Sequence, residues 1–104
     1  MKRGEIWWAN LPEPSGIRPV VLVSREDAYA VRDLITIAPI TTGIRAIPVE
    51  VPLGITQGLS KACVANFDSI TTVPKSCLSE RISPLSPNKI AEMDEAIRFA
   101  LGLE

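Results

Sequence analysis

Short apolar and β-branched runs, separated by turn residues, cover most of the chain before its last thirty residues. They occupy residues 5–11, 19–24, 34–40, 46–51 and 62–73. Runs of this length, broken by Pro, Gly, Asn, Asp and Ser, are typical of the strands of a small antiparallel barrel or sandwich. Several of the nine prolines lie near the ends of these runs, where a sheet tolerates a missing N–H donor. The pattern predicts a mainly β fold.

The period of the apolar positions changes near the C-terminus. Apolar residues there recur at steps of three and four, at Ile90, Met93, Ile97 and Leu101. This spacing predicts one apolar face of an α-helix. Ser86 is a suitable N-cap, Pro87 suits the first helical position and Gly102 can end the helix. We expect this helix to close the barrel or to pack against a second subunit.

Composition limits the domain organisation and the mode of binding. The chain has 104 residues, of which 46% are hydrophobic, which predicts one domain over residues 1–104. Its net charge of -1 argues against coating a nucleic acid by bulk electrostatics, so a polyanion must meet a local patch. The sequence shows no leader, and no apolar segment approaches the ~20 residues of a membrane span. We therefore predict a cytoplasmic protein without a membrane partner.

The residue types available for chemistry are few. The chain has no histidine and two cysteines, Cys63 and Cys77, which excludes serine–histidine and cysteine–histidine catalysis and the usual zinc patterns. At most one disulfide can form, and buried thiols are the interpretation that we favour. We expect no metal and no cofactor. Arginine and hydroxyl groups remain, and both suit phosphate.

Arg18 is the first candidate for such chemistry. It precedes Pro19, which favours an extended backbone, and it follows Gly16 closely, which permits a tight loop. Its side chain would therefore leave the end of a strand in a fixed direction. The alternative is an arginine that forms a salt bridge with a carboxylate on a neighbouring strand.

Thr41 and Thr42 form the second candidate, at the end of the predicted strand over residues 34–40. Paired threonines at a strand end are commonly β-formers and turn hydroxyls, which is the structural alternative. Thr41 becomes a functional candidate only if it faces Arg18 across neighbouring strands.

A series of short motifs also runs in order along nearly the whole chain. The motifs are RGEIW (3–7), RPVVLVS (18–24), APIT (38–41), GLSK (58–61), VANFD (64–68), ITTV (70–73), RIS (81–83), LS (85–86) and DEA (94–96). Together they resemble the MazF/PemK family of toxins from bacterial toxin-antitoxin systems. The toxins of this family are ribosome-independent mRNA or tRNA endoribonucleases. The resemblance implies a small SH3-like barrel of the CcdB/MazF type with a C-terminal helix, acting as a homodimer.

The resemblance also implies a reaction and its residues. Members cleave single-stranded RNA without a metal, leaving a 2′,3′-cyclic phosphate and a 5′-hydroxyl, and a MazE-like antitoxin restrains them. Their catalytic pair falls on Arg18 and Thr41. The general base stays open between Glu13, a water and a group of the RNA, because arginine is a poor base.

The chain departs from many relatives in two segments that are expected to hold RNA. The first loop is short, and the familiar Gln-Ile-Arg-Thr is replaced here by residues 69–72, with the sequence SITT. The predicted RNA-binding residues in and near the site are Glu13, Gly16, Thr42, Ser69 and Thr71. Two hypotheses compete with the nuclease: a CcdB-like toxin that binds DNA gyrase without catalysis, and an inactive RNA-binding module.

Overall fold

The fold is one antiparallel sheet with a helix at the C-terminus. The structure is a computed structural model that describes residues 1–103. The seven strands of this part of the chain are β1 (Glu5–Asn10), β2 (Ile17–Leu22), β3 (Leu34–Thr41), β4 (Glu50–Leu53), β5 (Cys63–Asn66), β6 (Thr71–Pro74) and β7 (Leu78–Pro84). The helices are α1 (Ala28–Val31) and α2 (Pro87–Leu101).

Strand pairing makes β3 the centre of the sheet. The order is β4-β5-β3-β2-β1-β7. One edge of β3 has two partners: β6 pairs with its first half and β5 with its second half. Within residues 1–103 no pairing joins β4 to β7, so hydrogen bonds do not close the sheet into a complete barrel. The predicted mainly β, barrel-like fold with a C-terminal helix is confirmed.

The central strands β1, β2 and β3 bury apolar residues on both faces, because successive side chains of a strand alternate between faces. On one side, which we call the helix face, Ile6 and Val21 pack in a core with Met93 and Ala96 of α2. On the other side, the loop face, a second core is covered by Tyr29 and by residues of β6 and β7. Its buried strand residues include Val20, Leu22, Ile35 and Ile37.

The C-terminal helix begins and ends where the sequence predicts. The Ser86 hydroxyl accepts a hydrogen bond from the Lys89 N–H at 3.2 Å, and Pro87 occupies the first turn. Gly102 ends the helix with a φ of 68°, in the left-handed region that favours glycine. Leu101 of the predicted apolar stripe is 54% exposed, so the last position of the stripe is not part of the core.

Several strand predictions differ from the structure. The predicted strand over residues 62–73 is two strands, because the Asn66 side chain accepts the Asp68 N–H at 2.9 Å and a 3₁₀ turn follows. The predicted strand over 46–51 begins only at Glu50, after a turn in which Ala46 has a positive φ of 56°. Strand β7 was not predicted, since its residues are mostly polar and exposed; α1 was too short to show a period.

Candidate active site

Antiparallel pairing of β2 with β3 brings Arg18 and Thr41 together. The register pairs Val20 with Pro39, and continuing it by two residues places Arg18 opposite Thr41. Directly opposite residues of antiparallel strands point to the same face, with Cβ atoms about 5 Å apart. Val20 belongs to the core on the loop face, so by alternation both side chains lie on that face, at one end of the sheet.

A closed loop over residues 12–16 precedes Arg18. The Leu11 N–H donates to the Gly16 carbonyl at 3.0 Å, and the Ser15 N–H donates to the Pro12 carbonyl at 3.1 Å. Gly16 has a φ of 64°, a conformation that strains residues with a side chain. The loop is therefore short and internally hydrogen-bonded, as its sequence suggests.

This loop also orients the Arg18 guanidinium. The Arg18 Nε donates to the Ser15 carbonyl at 3.1 Å, and the side chain is half-buried. Glu13 is exposed, and its Oε1 would lie 3.8 Å from a Cβ added at Gly16, so the carboxylate lies over the same loop. The structure therefore places the predicted RNA-binding residues Glu13 and Gly16 in the loop that holds Arg18.

The terminal nitrogens of Arg18 have no protein partner in the described part of the chain. The ion pairs there use other basic residues, and none includes Arg18. Among the described residues, Arg18 therefore does not form the salt bridge that was the alternative to a functional role. A half-buried guanidinium that is held through Nε alone presents its two remaining nitrogens to an anion.

The Thr41 hydroxyl is also free to donate. Its Oγ1 accepts a hydrogen bond from the Gly43 N–H at 3.2 Å, and it donates to no residue among the first 103. The accepted bond holds the oxygen in place, while the hydroxyl proton remains available to an oxygen of a ligand. Arg18 and Thr41 therefore present donors to the same region of the loop face.

The other predicted RNA-binding residues are distributed around this end of the sheet. Thr71 pairs with Ile37 and lines a groove of about 350 Å³ that also includes Ser15. Ser69 is exposed at the end of the 3₁₀ turn before β6. Thr42 lies apart from them, because it alternates with Thr41 and points away from the loop face.

A second groove, on the helix face, receives the Thr42 side chain. It has a volume of about 340 Å³ and is lined by Trp8, Pro19, Ile40, Thr42, Gly58, Leu59, Ser60, Lys61 and Cys63. Trp8 is 39% exposed, although the residues on either side of it in β1 are half-buried or buried. The groove adjoins the site, since Pro19 and Thr42 directly follow Arg18 and Thr41.

Burial raises the pKa of the Cys63 thiol, so this group is a poor nucleophile.

A buried carboxylate near the site was missed by the sequence analysis. The Glu50 side chain is 1% exposed and accepts from the backbone N–H groups of Arg45 and Ala46 at 2.9 Å each. Its second oxygen accepts from the Arg45 Nε at 3.0 Å. A glutamate inside the predicted apolar strand over residues 46–51 was the available signal, because a buried carboxylate requires partners.

Two carboxylates are expected to make the protein less stable in acid. Burial raises the pKa of Glu5 and of Glu50, but hydrogen bonds from Arg81 and Trp7 to Glu5, and from Arg45 to Glu50, lower each pKa below its ordinary value of 4.5. A carboxylate with a depressed pKa stabilises the folded state above the unfolded pKa and loses this contribution as the pH falls through the folded pKa. The urea midpoint should therefore stay level above about pH 5.5 and fall below about pH 4.5.

The check on this prediction is the urea midpoint of the wild-type chain and of Glu5→Gln and Glu50→Gln, measured from pH 7 to pH 3. Each variant should start lower at pH 7 and show a shallower fall in acid. A wild-type midpoint that does not change below pH 4.5 would contradict the assignment.

Two further classes of site were sought in the described chain. Residues 1–103 contain no group of three or more His, Cys, Asp or Glu side chains that could hold a metal ion. No helix of this part of the chain has the length and apolarity to cross a membrane.

These features define the class of protein: a small, histidine-free β domain in which an arginine and a threonine present free donors at one end of the sheet. The family model described as PemK-like, MazF-like toxin of type II toxin-antitoxin system matches residues 2–101. The chain belongs to this toxin family, which confirms the family predicted from the motifs.

Individual relatives match over nearly their whole length. The probable endoribonuclease MazF2 of Mycobacterium tuberculosis is 31% identical over 98% of this chain and 99% of its own length. The endoribonuclease MazF9 of the same species is 34% identical over 99% of this chain and 98% of its own.

Solved structures show the same fold. The M. tuberculosis toxin MazF-mt6 superimposes with a TM-score of 0.89 at 32% identity, covering 96% of this chain and 98% of that one. A mycobacterial endoribonuclease in complex with its cognate antitoxin has a TM-score of 0.87 at 26% identity, covering 100% of this chain and 97% of that one.

Proposed function

We propose that this toxin is an endoribonuclease that cleaves single-stranded RNA at the site formed by Arg18 and Thr41. The observations that support the proposal are the two free nitrogens of Arg18 and the free hydroxyl of Thr41. These residues are opposite one another when the register of β2 on β3 is continued by two residues. Both groups can donate hydrogen bonds, and both residues are partly exposed. The relatives named endoribonucleases support the same activity.

The reaction is a transesterification within the RNA. The ribose 2′-oxygen forms a bond to the adjacent phosphorus, the bond from phosphorus to the 5′-oxygen breaks, and a 2′,3′-cyclic phosphate results. The proton of the 2′-hydroxyl leaves to a base, and the departing 5′-oxygen gains a proton to become a hydroxyl. No electrons are transferred to or from the protein.

Arg18 is proposed to bind the scissile phosphate and to stabilise the negative charge that grows on its oxygens. Thr41 donates a hydrogen bond to one of these oxygens, which adds positioning. Glu13 is the carboxylate of the loop that holds Arg18, and it is exposed to a substrate bound there. We include Glu13 as the proton acceptor, with Gly16, Ser69 and Thr71 on the path of the RNA.

The groove on the helix face is proposed to take a base next to the scissile phosphate. Stacking on an aromatic side chain contributes about 1–3 kcal/mol per base, and Trp8 offers a partly exposed indole for it. Thr42 is proposed to donate to the same base or its sugar, since it lines this groove.

The partners of the toxin follow from its family. We propose that it works as a homodimer in the cytoplasm and that a separately encoded MazE-like antitoxin restrains it. A disordered antitoxin segment that folds on binding could cover the RNA site. The solved complex of a mycobacterial endoribonuclease with its cognate antitoxin supports the proposal of an antitoxin partner. Cleavage of cellular RNA would inhibit translation.

The experiment that tests the activity uses purified protein and mixed total RNA in EDTA. We expect discrete cleavage sites with 5′-hydroxyl ends, mapped by sequencing, because the proposed chemistry requires no metal. The mapped ends also give the recognition sequence. Intact RNA would contradict the endoribonuclease proposal and favour an RNA-binding module or a gyrase-binding toxin.

A further inference from the structure

The segment over residues 42–49 crosses one face of the sheet. Strands β3 and β4 both pair antiparallel with β5, which lies between them, so β3 and β4 run parallel. The segment must therefore return from the end of β3 to the start of β4 at the opposite end of β5. Two strands that are parallel to each other cannot be joined by a tight hairpin and require such a crossover.

The register indicates which face the crossover covers. Thr41 pairs with Val64, and Glu50 pairs with Asn66, two residues further along β5. Directly opposite residues share a face, and residues two apart in a strand also share a face. Glu50 therefore lies on the loop face together with Thr41. Val64 is 1% exposed, as expected if the crossover passes over it.

The crossover carries a second arginine that is held like Arg18. The Arg45 Nε donates to the Glu50 carboxylate at 3.0 Å, and its backbone N–H donates to the same carboxylate at 2.9 Å. The Arg45 side chain is 57% exposed, and its two terminal nitrogens have no partner in the described part of the chain. Both arginines are thus fixed through Nε and present the rest of the guanidinium outward.

Glu50 does not cancel the ability of Arg45 to bind an anion. Its carboxylate accepts two backbone N–H groups as well as the Arg45 Nε, and these donors stabilise its negative charge. The carboxylate is buried behind the guanidinium, which itself is largely exposed. The guanidinium of Arg45 is therefore far more accessible to a ligand from the solvent than the carboxylate that holds it.

We propose that Arg45 is a second phosphate-binding residue for the RNA, and that Glu50 is its positioning residue. The backbones of Thr41 and Glu50 are about 12 Å apart, from two strand spacings and two residues along β5. A single strand that places one phosphate at Arg18 can reach Arg45 with a phosphate a few nucleotides away. This inference rests on the proposed function, since it concerns the same substrate.

The test measures binding of a short 2′-O-methylated oligoribonucleotide, which cannot react, by fluorescence anisotropy at several salt concentrations. Arg45→Gln should weaken binding about tenfold, the effect of losing one charge-assisted contact. It should also make the slope of log affinity against log salt shallower by about 0.7, the value for one phosphate contact on a single strand. Arg45→Lys should retain the wild-type slope.

The matched control is Arg25→Gln, because Arg25 also pairs through Nε with an aspartate and is exposed, yet lies beyond the other end of β2. It should leave affinity and slope unchanged. Glu50→Gln, checked for folding by its thermal midpoint, should weaken binding while keeping the wild-type salt slope.

The outcomes separate the inference from the proposed function. If Arg45→Gln binds as the wild type does, with the same slope, the inference is wrong even where the wild type cleaves natural RNA. If the wild type neither binds the analogue nor cleaves RNA, the proposed function fails and the inference fails with it. An equal loss in Arg25→Gln would mean that only the overall charge matters, which also overturns the inference.

Discussion

Replacing Arg18 with alanine is expected to abolish RNA cleavage, with a loss of at least about 1000-fold in kcat. The guanidinium is the group at the site with two free charged donors, and in the proposed mechanism it would face the phosphate on which negative charge develops. Strand β2 contains no other basic residue. The measurement is the single-turnover rate on an RNA that contains one mapped cleavage site.

The fold should survive this substitution. The Arg18 side chain makes one hydrogen bond, to the Ser15 carbonyl of an exposed loop, so the thermal midpoint should change little. Arg32→Ala is the matched control, because Arg32 is exposed and lies just before β3, at the end opposite Thr41. A folded Arg18→Ala protein that cleaves at the wild-type rate would exclude Arg18 from catalysis.

Replacing Thr41 with alanine should lower the cleavage rate by roughly 100- to 1000-fold, the effect of removing one stabilising donor. The hydroxyl proton is free, whereas the oxygen is fixed by the Gly43 N–H. Since the hydrogen bond strengthens as charge develops on the phosphate, kcat should fall more than the substrate affinity. Rates at saturating and at subsaturating RNA separate these two effects.

Two further variants distinguish a catalytic hydroxyl from a β-forming side chain. Thr41→Ser keeps the hydroxyl and should retain much of the activity, whereas Thr41→Val keeps the branched shape and should not. Thr36→Ala is the control on the same strand, because Thr36 alternates with Ile35 and Ile37 and so points away from the loop face. Wild-type activity in Thr41→Val would assign Thr41 a structural role.

The candidate site could be predicted in part because its signals are local. An arginine before a proline and a threonine at a strand end are visible in a few residues of sequence. The pairing of Arg45 with Glu50 could not be predicted in the same way, although these residues are close in sequence. The crossover places Arg45 and Glu50 on the same face as Thr41, and it exists because β5 lies between β3 and β4.

The strand at residues 62–73 shows the same limit within the fold. Its composition favours a continuous strand, but the side chain of Asn66 bonds to the backbone and ends β5. Two short strands then pair with different halves of β3. Tertiary pairing overrode the local preference, since β3 offers one edge to two partners.

The sequence by itself determined the mainly β class, the capped C-terminal helix, the family and the residue types that remain for chemistry without histidine. These depend on composition, period and motifs, which are properties of neighbouring residues. The tertiary structure decided which side chains meet. Burial of both sheet faces sets the register of β2 on β3, and this register, continued by two residues, places Arg18 opposite Thr41. A shift by one residue would turn one of them to the opposite face.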